Sequence, residues 1–80
     1  MSSYDEKLSI DIDNTLLEYK AYQKIAEGFY ILSKLPENTD SSRISCIRNY
    51  DAYTFLADGC KNFLDELMEK RDERNLIQNG

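Results

Sequence analysis

Histidine and tryptophan are absent from this 80-residue chain, which also has only one proline, three glycines and two cysteines. Without histidine the commonest general base and the commonest metal ligand are missing. There is no glycine-rich phosphate loop, no Cys-x-x-Cys pair and no Ser, His and Asp set. These gaps point away from an enzyme, and no cofactor or catalytic metal is expected. Scarce proline and glycine favour long uninterrupted elements, helices above all. No run approaches the ~20 apolar residues needed to span a bilayer, so no membrane partner is expected. The opening Met1-Ser2-Ser3-Tyr4-Asp5-Glu6-Lys7 lacks a basic stretch followed by an apolar one, so no signal peptide is expected. On one helix, Cys46 and Cys60 would stand roughly 21 Å apart and could not form a disulfide with each other. Two reduced cysteines without a signal peptide fit a cytoplasmic setting.

Ten basic residues against fifteen acidic ones leave a net charge of −5. That balance opposes direct binding to nucleic acid or to an anionic membrane, both of which need clustered Lys and Arg. It suits a protein partner with a basic surface. At 41% hydrophobic and 31% charged, the composition is that of a globular chain. Residues 1–80 fit a single domain, whose small core makes self-association or a bound partner an expectation.

Two rows organise the second half. Cys46, Tyr50, Tyr53, Ala57, Cys60, Leu64 and Leu67 alternate in steps of four and three, the spacing of an apolar helical seam. Asp51, Asp58, Asp65 and Asp72 recur beside it at intervals of seven and form an acidic ridge. The polar run after Leu35-Pro36 breaks the chain, because proline disfavours helix at the residue before it and N-capping residues follow. The expected fold is all-α: an antiparallel hairpin of two long helices with a short N-terminal arm. The divisions are an arm over 1–13, a helix over 14–35, a turn over 36–41, a helix over 42–75 and a frayed tail over 76–80. Thr15 and Glu18 have capping-box spacing at the first helix start. Asp58-Gly59 resembles a turn, yet the seam stays in phase through it, so the second helix is expected to be continuous.

A first helix of ~20 residues folded back on one of ~34 would reach only the neighbourhood of Cys60. Phe63, Leu64, Leu67 and Met68 would then lack cover. Residues 5–12, where Leu8, Ile10 and Ile12 alternate, could supply it as an extended arm, or a second copy could do so in a homodimeric helical bundle. The dimer is the favoured expectation.

Little else carries chemistry. Asp11, Asp13 and Asn14 resemble a calcium loop for three residues but lack its glycine and terminal glutamate, and N-capping by Asp13 or Asn14 is the simpler reading. Four of the six tyrosines, Tyr19, Tyr22, Tyr50 and Tyr53, take core-like positions, whereas Tyr4 and Tyr30 are freer. Ile44, Ile47 and Phe55 fall outside the seam among charges, as apolar residues of a contact surface do. Together with Asp51, Asp58, Asp65 and Asp72 they form the candidate partner-binding set.

The expected architecture resembles small plasmid-encoded helical-hairpin repressors that dimerise and bind RNA, in fold alone and without a shared motif. That resemblance would require Lys20, Lys24 and Lys34 to gather across a dimer face, which the net charge opposes. The favoured expectation is a small acidic protein that regulates or inhibits a larger protein by docking on a basic, nucleic-acid-binding surface. A phage- or mobile-element-encoded inhibitor of the anti-defence, anti-CRISPR or nucleic-acid-mimic type is its concrete form. The alternative is a self-assembling structural subunit.

Overall fold

A computed structural model describes residues 3–79 and shows two helices, α1 (Ser3–Ser33) and α2 (Asp40–Asn79), packed against each other. Among the described residues no strand occurs. The hairpin is antiparallel: Asp5 faces Arg74, Glu18 faces Cys60 and Tyr30 faces Tyr50. It is a rod of 60 × 15 × 13 Å. Its radius of gyration is 18.0 Å, against about 12 Å for a compact chain of this length.

Both helices pack through one heptad seam. In α1 the inward positions are Asp5, Leu8, Ile12, Thr15, Tyr19, Tyr22, Ala26, Phe29 and Ser33, all buried or half-buried. In α2 they are Arg43, Cys46, Tyr50, Tyr53, Ala57, Cys60, Leu64, Leu67 and Arg74, likewise buried or half-buried. This 4-3 alternation keeps one stripe of each helix against the other. Near the chain ends, Leu8, Ile12, Leu64 and Leu67 form the apolar core, with Leu16 against it. Toward the turn the filling is aromatic: the Tyr53 ring lies 6.1 Å from Tyr22 and 5.8 Å from Phe29.

The start of α1 corrects the expected arm. No capping occurs at Asn14 or Thr15; α1 is already helical at Ser3, and Thr15 is a buried mid-helix residue. Asp11, Asp13 and Asn14 also lie inside the helix, which removes both their capping role and the loop a calcium site would need. The alternation of Leu8, Ile10 and Ile12 is satisfied without a strand. Leu8 and Ile12 are one helical turn apart and both point inward, while Ile10 points out and is 57% exposed. The expected overhang therefore disappears for Leu64 and Leu67, which the first turns of α1 cover. Phe63 and Met68 stay 49% and 37% exposed on its flanks. Met1 and Ser2 of the expected arm lie outside the described residues.

The other end of α2 also differs, because the expected tail is helical through Asn79; Gly80 lies outside the described residues. Helix α2 runs unbroken through Gly59, which has no positive φ. An ion pair of 2.7 Å from Arg74 Nε to Asp5 joins the two chain ends, and Arg74 also lies 5.0 Å from the centre of the Tyr4 ring.

The turn is built from terminal backbone groups and their partners. Lys34 and Leu35 close α1 with tight i→i−3 bonds to Ile31 and Leu32 at 3.0 and 3.2 Å. The Asn38 amide donates to the Leu32 carbonyl, and Arg43 donates to the Leu35 carbonyl at 3.4 Å. A cation placed there also complements the negative end of α1. Thr39 caps α2, its hydroxyl accepting the Ser42 N–H at 3.2 Å.

Candidate functional site

With the seam between the helices, the rod presents two long sides that differ in chemistry. The first contains the acidic ridge. Asp51, Asp58, Asp65 and Asp72 occupy the same heptad position, all exposed, and are spaced by about 10.5 Å along the axis. Ile44 precedes them in that row and is 52% exposed. Ile47 and Phe55 stand on adjoining rows, and Phe55 is 78% exposed, about as open as a helix allows. The helix thus gathers the seven candidate residues on one outward arc of α2. Among the described residues none of the four aspartates takes part in an ion pair.

A groove of about 580 Å³ runs along this side beside the ridge. Tyr19, Tyr30 and Tyr50 form its apolar walls, while Lys20, Lys24 and Glu27 of α1 face Thr54 and Asp58 of α2 across it. Gln23 donates a 2.9 Å hydrogen bond to the Tyr19 hydroxyl, and Lys34 sits 5.2 Å from the centre of the Tyr30 ring. That these lysines border the acidic row is not visible from the sequence of either helix alone. That juxtaposition depends on the register of the two helices.

The second side carries Phe63, one of the residues expected to need cover from an arm or a second copy, and Leu56 seven residues before it. The seam of α2 passes beside them, leaving Leu56 at 43% and Phe63 at 49% exposure. Ile25 and Leu32 of α1 share this side. The signal in the sequence is the apolar arc of the first helix, which includes Ile25 and Leu32 and is wider than contact with one neighbouring helix requires.

Cys60, half-buried in the seam, directs its thiol toward the Glu18 carboxylate at 3.9 Å. Desolvation raises the Cys60 pKa, and the Glu18 charge raises it further. This is the opposite of an activated nucleophile. Among the described residues no three acidic or cysteine side chains converge as a metal site, and no helix is long and apolar enough to cross a membrane. Comparison of the chain with protein-family models, curated proteins and solved structures finds no match in any of the three.

Proposed function

We propose that this is a non-enzymatic protein that regulates or inhibits a larger protein by binding it directly, with the acidic side of α2 against a basic, nucleic-acid-binding surface. A phage- or mobile-element-encoded inhibitor acts in this way. The observation that supports the reading is the row of Asp51, Asp58, Asp65 and Asp72, exposed at one heptad position on an unbroken helix. Carboxylates held at fixed intervals on a rigid rod can occupy a groove built for phosphates, and they steer association with a cationic partner. Phe55, projecting between the levels of Asp51 and Asp58, supplies an apolar anchor within a charged rim.

The test begins with capture and mass-spectrometric identification of the partner from the native host. Binding of the purified partner is then measured for the wild-type chain and for Asp51→Lys with Asp58→Lys at several salt concentrations. The reading requires affinity that falls steeply as salt rises, and a reversal variant that loses most at low salt. Binding indifferent to both salt and charge reversal would reject it.

A further inference from the structure

We infer that the uncharged side of the hairpin is the docking surface for a second copy of this chain, the two rods lying side by side with their turns at the same end. At matching levels, from Ala21 to Leu32 on α1 and from Asn49 to Gly59 on α2, this side contains no charged residue, although 31% of the chain is charged; Glu18, level with Phe63, ends the uncharged stretch. Its large side chains, Ile25, Leu32, Leu56 and Phe63, are 40–49% exposed. Between them lie the exposed small residues Ala21, Gly28, Ala52 and Gly59. A Cβ placed on either glycine would meet nothing within 4 Å, so the space in front of both is open.

Area argues for an occupant of this size. The chain exposes 6188 Å², whereas a compact monomer of its mass exposes about 5,000 Å². Two chains that each lost the excess would bury about 2,400 Å² together, within the range of homodimer interfaces. No side chain among the described residues is fully enclosed in the single hairpin, which is the condition a second layer of helices relieves.

Self-complementarity argues for the identity of the occupant. A two-fold axis parallel to the rods sets α1 of one copy against α2 of the other at the same level. In the register fixed by the Asp5–Arg74 and Glu18–Cys60 contacts, Ala21 then opposes Gly59 and Gly28 opposes Ala52, so the backbones can approach closely. Ile25 opposes Leu56. Toward the chain ends, Asp11 meets Lys70 and Lys7 meets Glu73, each of opposite sign. Turning one copy end for end would set α1 against α1 and lose both charge pairs. The acidic ridge stays outward on both copies, so this inference does not depend on the function proposed above.

Sedimentation equilibrium of the full chain over a concentration series tests it. The wild type should give the dimer mass in the micromolar range. Leu56→Lys and Ile25→Lys should each raise the dimer dissociation constant roughly 100-fold or more, as burial of an unpaired charge does, while far-UV circular dichroism stays helical. Phe55→Lys, on the other side, should leave the dimer intact. Lys70→Asp should weaken the dimer, and adding Asp11→Lys should restore it. A monomer at every concentration, a dimer that survives both lysine variants, or one dispersed by Phe55→Lys would overturn the inference. Failure of the charge swap to restore association would overturn the parallel arrangement.

Discussion

Replacing Leu64 and Phe55 separately by alanine separates the structural seam from the outward arc of α2. Leu64 is 7% exposed and packs with Leu8, Ile12 and Leu67. Truncating such a residue costs about 2–5 kcal/mol, since transfer energy and residual cavity add. A chain this small holds only about 3–5 kcal/mol in total, so Leu64→Ala should leave it partly or wholly unfolded. Phe55 is 78% exposed, so about a fifth of its side chain is covered. If full burial of Phe is worth ~1.5–3 kcal/mol, the covered part contributes about 0.5 kcal/mol. Alanine returns about the same amount through its higher helix propensity. The net change for Phe55→Ala is therefore close to zero. Urea unfolding of dilute protein, followed by far-UV circular dichroism, measures the Phe55→Ala change at constant slope, and the circular dichroism without denaturant reads the helix lost in Leu64→Ala. A loss above ~2 kcal/mol for Phe55→Ala, with Leu64→Ala nearly neutral, would refute the assignment of sides.

Other perturbations have equally definite outcomes. Gly59→Ala should stabilise dilute protein by up to ~1 kcal/mol, because the added methyl meets no atom and the backbone is already helical; marked destabilisation would mean a turn at Asp58-Gly59. Cys60 should alkylate more slowly in the folded than in the unfolded chain, and Glu18→Gln should speed it, as mass spectrometry after timed iodoacetamide treatment would read. Its raised pKa keeps the folded thiol protonated where the unfolded one ionises, so its stabilising contribution is present below the ordinary cysteine pKa of ~8.5 and is lost as pH rises beyond it. Asp5→Asn should cost at most ~1 kcal/mol, as partly exposed ion pairs do. It should speed hydrogen exchange near Leu8 while leaving Ala26 unchanged.

Much of the fold was legible because it depends on local spacing. The seam of α2 from Cys46 to Leu67 needed only the 4-3 rhythm of apolar residues, and the break after Leu35 needed only Pro36 and the capping residues beyond it. The matching seam of α1 was obscured because polar residues occupy it: Asp5 pairs with Arg74, and Thr15 is buried in mid-helix. Those positions make sense only once α2 lies opposite, since Leu8 and Ile12 are held in helix by Leu64 and Leu67. Tertiary contact overrode the apparent cap at Thr15 and Glu18. The outward placement of Ile44, Ile47, Phe55 and the aspartates followed from phase along one helix. The groove beside them and the uncharged side opposite required the register between two helices, which no single-helix projection contains.

The proposed binding of a partner through the acidic side of the rod is tested most directly by chemical-shift mapping. The isotope-labelled chain would be titrated with a helical peptide bearing Lys and Arg in steps of four and three. Amide shifts should follow Asp51, Phe55, Asp58, Asp65 and Asp72 and fade as salt rises. Shifts centred on Ile25, Leu32, Leu56 and Phe63, or none at low salt, would contradict it.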